Sequence, residues 1–314
     1  MMGLDKMSGL FLQDFGLTVK TSAEVEFYLE GNDPEQDKEC LALMLLALHQ
    51  AALPIREMKK EDGTRQYEID LPLRDNPMQT AQDIELAKRV IAEVAERCGL
   101  RAIFTPKPYP NQPGCGLHLH ASLHDAAGNN VLQKPSPVCG KGLGEGFSPM
   151  ETAPSPKIRR GDSPGFPPLP HTGEESFAML HAVGGLLEII PEAMVFFTPN
   201  EDSYTRFIAG DQHTPKYICW GGNNRTAAVR IPASTLHPES RHIELRVPGM
   251  DADPERALAA MIAGMHHGLT QKITPPPKLY GNAFDKQYGL TKLPASLDEA
   301  KQMCAEGRVL KKYS

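Results

Sequence analysis

The chain has 314 residues, a formal net charge of -6, and a composition 40% hydrophobic and 23% charged. That is enough chain for a substantial core in one large domain or two, and the acidic balance argues against nucleic acid as the main partner. Its six cysteines are scattered without a C-x-x-C pair, which fits free thiols better than a disulfide framework or a zinc ribbon. The N-terminus lacks a signal-peptide layout, and the run Leu41–Leu48 is too short to cross a bilayer. The expectation is a cytoplasmic protein with no membrane partner.

In chain order, residues 1–20 carry no strong period. The first strand expected is Ala23–Leu29, with Val25, Phe27 and Leu29 on one face and Glu24, Glu26 and Tyr28 on the other. Two carboxylates at i and i+2 on a strand lie roughly 7 Å apart and point the same way. Lys38–Ala51 reads as a buried apolar helix. Arg65–Leu71 alternates again, placing Gln66, Glu68 and Asp70 on a common face. Thr80 then opens a helix by a capping-box pattern to Asp83, and Gly99 closes it.

The segment Gly114–Leu123 sets Leu117 and Leu119 against His118 and His120. From Asp125 to Gly173 the texture changes to Gly, Pro, Ser and Lys/Arg, which reads as an irregular insertion with a basic cluster at Lys157–Arg160. Glu174–Met194 is an apolar helix whose Gly184 and Gly185 imply close packing on a neighbour, and Thr198–Tyr217 is turn-rich. Thr226–Ile231 and His242–Val247 are strand-like, the second directing Ile243, Leu245 and Val247 one way and His242, Glu244 and Arg246 the other. Asp253 as N-cap and Pro254 at N1 begin the next helix, and a Pro-rich loop and an amphipathic helix end the chain.

Four strand-like segments thus bury one face and offer acid or imidazole on the other: Glu24/Glu26, Glu68, His118/His120 and His242/Glu244/Arg246. A single such strand is more simply a half-buried strand with a solvated polar face. If all four share one antiparallel sheet with one covered face, their polar sides converge on a cleft. Carboxylate-dominated sets with one or two imidazoles favour Mg²⁺ or Mn²⁺, and a zinc hydrolase on His118, His120 and a glutamate is the remaining alternative. Arg206, Arg225, Arg230 and Arg246 lie near these segments in sequence. Guanidinium groups beside a metal cleft suit phosphoryl transfer, and the absence of a P-loop implies a nucleotide site built on a sheet.

The strings AEVEFYLE, RQYEIDL, PKPYPNQPGCGLHLHASLHDAAGNNVL, SYTRFIAG, NNRTAAVRIPAS and RHIELRVPGMDADP resemble, in order and over nearly the whole chain, the catalytic domain of the glutamine synthetase family. The resemblance implies an α+β fold, a curved antiparallel sheet flanked by helices, in a single domain spanning 1–314 with an insertion at about 125–173. It implies an ATP-dependent carboxylate–amine ligase with Mg²⁺ or Mn²⁺. By the same resemblance Glu26, Glu68 and Glu61 (with Glu57 also in reach) hold the metal nearer the amino-acid substrate, and Glu24, His118 and Glu244 hold the metal at the nucleotide phosphates. Arg206 grips the substrate carboxylate; Arg225, Arg230 and Arg246 handle phosphates and the acyl-phosphate; His120 and Ser122 lie near the nucleotide.

The match also has departures. The family's small N-terminal β-grasp domain is expected to be missing and the C-terminal region to be short. The flap after Arg206 reads Ala209-Gly210-Asp211-Gln212-His213, with Gln212 where ammonia-using members carry a glutamate. Thr64-Arg65 replaces the usual Pro-Gly, Pro113 an asparagine and His242 an arginine, and Glu239 stands near a usual lysine. Metal positions are kept while acid and ammonia positions change. Two readings follow: a ligase joining glutamate or a related acid to ammonia or a small amine, or a weak or inactive subunit with a binding, regulatory or assembly role. The expected partners are small-molecule substrates and further copies of the chain, or a second subunit supplying the N-terminal domain.

Overall fold

The computed structural model describes residues 3–133, 175–208, 214–233 and 237–313. The insertion beyond Gln133, its basic cluster and the flap at 209–213 lie outside them. Where no period was read, Leu4–Phe15 is a helix (α1) that buries Leu4, Met7 and Phe11 and closes on Gly16 at φ +66°. Its fully inward residues at i, i+3 and i+7 are too few to stand out beside Leu12, which is 59% exposed on another face. Thr18–Glu30 (β1) runs longer than the expected strand at both ends.

Gln36–Gln50 (α2) corrects the expectation of a buried helix. Cys40, Met44 and Leu48 face inward, whereas Leu43 and Leu46 are 43% and 53% exposed. A helix apolar on every side gives no signal of which side is covered. Glu57–Lys60 (β2) and Gln66–Asp70 (β3) form a hairpin.

Pro77–Arg97 (α3) starts one residue after Asn76, whose side chain accepts from Met78 N; Thr80 is inside the helix and is not its cap. Asn76-Pro77 outcompetes the Thr80 box because Pro at N1 is pre-shaped for the first turn. Thr80 instead ties the helix to β1, its Oγ1 lying 2.7 Å from Thr21 Oγ1. Arg101–Ile103 (β4) and Leu117–His124 (β5) follow.

Phe177–Phe197 (α4) is the longest apolar helix described, long enough to cross a membrane by length and composition, and it is mostly buried within the protein. Within the region read as turns lies Glu201–Ile208 (α5), which carries Arg206. Trp220–Gly222 (β6) lies outside the strand-like runs of the sequence, and Val229–Ile231 (β7) and Ile243–Leu245 (β8) are shorter than the runs 226–231 and 242–247. Pro254–Gln271 (α6) begins as expected, with the Asp253 side chain accepting from Arg256 N, and Leu297–Glu306 (α7) is the last α-helix.

The strands form one sheet in the order β2-β3-β1-β5-β8-β7-β6, with β4 pairing the far end of β1. Every pairing is antiparallel except β6 with β7, which is parallel, so the sheet is mixed. Segment 223–228 turns out and comes back in the same direction, a path that residue alternation cannot signal.

The opposite face of the sheet is apolar and covered by helices. Glycines let α4 and α6 touch: a Cβ on Gly185 would sit 2.1 Å from Gly264 O, and one on Gly268 2.0 Å from His181 O. Such contacts are possible only without side chains. This bears out the close packing read from Gly184-Gly185. The five described cysteines are unpaired.

Candidate active site

Strand register assembles the site. Glu24 on β1 lies opposite Asp70 on β3 and His118 on β5, and Glu26 lies opposite Glu68. One row further, Ser22, His120, Glu244 and Arg230 stand side by side across β1, β5, β8 and β7. Cross-strand partners share a face, so the four polar segments converge as their alternation implied. All of these residues but the fully buried Glu244 line a single cavity, together with Arg56, Lys59, Glu61, Asp62, Arg206 and Arg225.

His118 is the hub. Its Nδ1 is 2.8 Å from Glu24 Oε2 and 3.8 Å from Glu244 Oε1, and its Nε2 is 3.7 Å from Glu26 Oε1. Three groups bring ligand atoms within 4.8 Å of one another: Glu24–His118–Glu244, Glu26–Glu68–His118 and Glu24–Glu68–Asp70. Oxygen-rich sets with one imidazole fit Mg²⁺ or Mn²⁺, so the residues present suit the ions that the resemblance implies. His118 belongs to both imidazole-bearing sets rather than to one. Asp70, seen on the right face in the sequence, was not chosen there as a site residue, and only the pairing with Glu24 reveals its place.

Glu61 lines the cavity, whereas Glu57 is exposed and outside it. Arg65 adopts φ +60° in the loop joining them to Glu68. A left-handed backbone there suits the glycine it replaces; the guanidinium holds the turn instead, its Nε donating to Asp37 and its Nη1 to Gly31 O at 2.6 Å.

Charge is dense and mostly buried. Burial raises the Glu68 carboxyl, as do the charges of Glu24 and Glu26, while Lys59 pulls it down. Burial also opposes ionisation of Glu24, but His120 and His118 outweigh it and hold that carboxyl low. Glu244 is fully buried. Against the cost of burial, chiefly Arg246 and then His120 bring its carboxyl down to about 2. Arg230 Nη1 donates to Glu244 at 2.6 Å and Arg246 Nη1 donates to its other oxygen.

Arg206 is 2% exposed and sits among Gly114, Gly116 and Gly249. A Cβ on Gly116 would lie 2.7 Å from His118 Nε2, so that glycine is what admits the imidazole. Gly116 N also donates to Glu26 Oε2 at 2.8 Å.

Other expected residues fall differently. Ser122 does not line the cavity; its hydroxyl lies 3.0 Å from His124 Nε2. It is even-numbered like His118 and His120, but the cavity ends before reaching it. His242 does reach the cavity, its ring centroid 5.1 Å from that of His120. Burial, and then His120, bring its imidazole down to about 4. Pro113 lines the cavity, its carbonyl accepting from Tyr28 OH at 2.8 Å. Glu239 is exposed and outside it, 3.0 Å from His237. Lys59, missed in the sequence, is in the cavity with its Nζ 2.6 Å from Glu68 and 3.4 Å from Asp70. Its register opposite Glu68 was the signal that could have found it.

Residues 18–139 and 163–313 match the family model "Glutamine synthetase, catalytic domain". The chain is 30% identical over 227 residues to gamma-glutamylputrescine synthetase of Escherichia coli (strain K12), covering 72% of this chain and 40% of that protein. It is 32% identical over 257 residues to glutamine synthetase of Pyrococcus abyssi (strain GE5 / Orsay), covering 80% of this chain and 49% of the other. The chain thus spans about half the length, or less, of these relatives. A solved GmaS/ADP complex shares its fold at a TM-score of 0.77 and 24% identity, over 99% of this chain and 68% of that one.

Proposed function

This chain belongs to the glutamine synthetase family, and from that premise we propose that it is an ATP-dependent ligase. It joins the γ-carboxylate of glutamate, or a related acid, to ammonia or a small amine. The observation that carries this reading is the convergence around one cavity of Glu24, Glu26, Glu68 and His118 with Arg206, Arg225, Arg230 and Arg246, the buried Glu244 completing one donor group with Glu24 and His118.

In the proposed reaction a carboxylate oxygen bonds to the γ-phosphorus of ATP and the bond to ADP breaks. The amine nitrogen then bonds to the acyl carbon, phosphate leaves, and the nitrogen loses a proton. Bound divalent ions would neutralise phosphate charge. Glu26, Glu68 and Glu61 would hold one near the acid, and Glu24, His118 and Glu244 one near the phosphates. Arg206, on a short helix and walled by glycines, would orient the acid's carboxylate. Arg230 and Arg246 both contact Glu244 and would offer two cations to a phosphoryl group; Arg225, exposed at the rim, would meet it from solvent. His120, buried and made more basic by Glu24 against the opposing effect of burial, would stand beside the nucleotide.

The test is to incubate the chain with ATP, Mg²⁺, glutamate and a pool of ammonia and small amines, with Glu68→Ala as control, and to search for γ-glutamyl products by mass spectrometry. A product lost in the variant supports the ligase and names the amine. No product and no ADP would overturn it in favour of a binding or assembly subunit.

A further inference from the structure

Two of the three donor groups in the cavity share Glu68, and one of those also uses Asp70. Lys59 touches both: its ammonium is 2.6 Å from Glu68 Oε1 and 3.4 Å from Asp70 Oδ1. The contact is built into the hairpin, because Lys59 on β2 is the register partner of Glu68 on β3. The Glu24–His118–Glu244 group has no donor in contact with Lys59.

An ammonium so close to a carboxylate neutralises the charge that would draw a divalent ion, and it repels that ion. The side chains also differ in freedom. Lys59 is 33% exposed on a flexible stem, whereas Glu68 is 3% exposed and fixed. The lysine can withdraw to water; the carboxylate cannot follow it.

We propose that Lys59 is an internal competitor for the metal corner at Glu68, neutralising it when empty and giving way when a divalent cation enters. The corner therefore fills only at higher cation concentration than its oxygen donors alone would require. Filling is coupled to the outward swing of one side chain. This rests on the reading of the cavity as a divalent-metal site, and it adds a competitor to that reading.

The experiment is a Mn²⁺ titration of the whole chain without nucleotide, followed by calorimetry and by the electron paramagnetic resonance of free Mn²⁺. Lys59→Gln should bind Mn²⁺ at one class of site at least about 10-fold tighter than the unaltered chain. Any second class should move less than about 3-fold, since its donors do not touch the lysine. Lys59→Arg keeps the cation, and so remains informative if the neutral variant fails to fold; it should bind no tighter than the unaltered chain. Mn²⁺ binding that is unchanged or weaker in a folded Lys59→Gln, or tightened equally in Lys59→Arg, overturns the competitor and leaves the metal site standing. Absence of Mn²⁺ binding in every form overturns both.

Discussion

Glu244 and Leu245 are consecutive residues of β8, both fully buried, and they live in different surroundings. Glu244 meets Arg230, Arg246 and His118 on the cavity side. Leu245 joins the apolar cluster under the helices. The same contrast runs across the sheet, from Glu24 beside Val25 to His118 beside Leu119. On the helix side the interior is closed by shape, down to glycines that let α4 and α6 meet. On the cavity side it is closed by charge, and carboxylates packed this tightly are tolerated only because histidines, arginines and Lys59 stand among them. One face stores stability and the other stores reactivity, and a period of two keeps them apart.

Substitutions on either face should break this contrast in different ways. Glu244→Gln should have the largest effect: two guanidinium groups lose their counter-charge, at about 3–5 kcal/mol of stability, and Mn²⁺ binding should fall with it. Urea unfolding and metal titration on the same samples check both. Leu245→Ala should cost about 2–5 kcal/mol through the cavity it leaves, yet the molecules that stay folded should bind Mn²⁺ normally. An equal loss of metal binding would mean that the two faces are not independent.

Gly185→Ala should cost about 1–3 kcal/mol by forcing α4 from α6, seen as a lower thermal midpoint with the cavity's metal affinity unchanged. The smallest effect is expected at His266, which sits far from the cavity between Asp14 Oδ2 and Tyr313 OH, 3.0 Å from each. Burial lowers its imidazole against the pull of Asp14. A histidine lowered in this way binds fewer protons folded than unfolded, so its contribution is fully present above the ordinary value near 6.5 and is lost as pH falls below it and through the lowered folded value. His266→Gln should flatten the thermal midpoint below pH 6.5 relative to the unaltered chain. Its lost hydrogen bonds should cost about 1 kcal/mol at neutral pH.

Much of the site was legible in the sequence for a simple reason. Alternation assigns each strand residue to a face from local information alone, so Glu24, Glu26, Glu68, His118, His120, Glu244 and Arg246 could be set on polar faces before any strand was paired. Ser122 shows the limit, since it has the right parity and lies too far along β5. Arg206 stood out only as an arginine near these strands, and its place at the acid came through the family resemblance, because the turn-rich texture around it hid α5. Lys59 and Asp70 were passed over because a charge near the end of a hairpin reads as solvated until its partner is known. The helix starts split the same way: Asp253-Pro254 was clear, while Asn76-Pro77 was overlooked for Thr80.

By itself the sequence determined the fold family, the two-faced strands and the kinds of ligand they could offer, because these depend on residue type and on periods spanning a few positions. Tertiary structure alone decided that Glu24 stands between Asp70 and His118, that Lys59 leans on Glu68, that β6 and β7 run parallel, and that α2 shows leucines to water. Those are pairings between distant segments, chosen by the summed energy of the whole core, and no short window of sequence contains that sum.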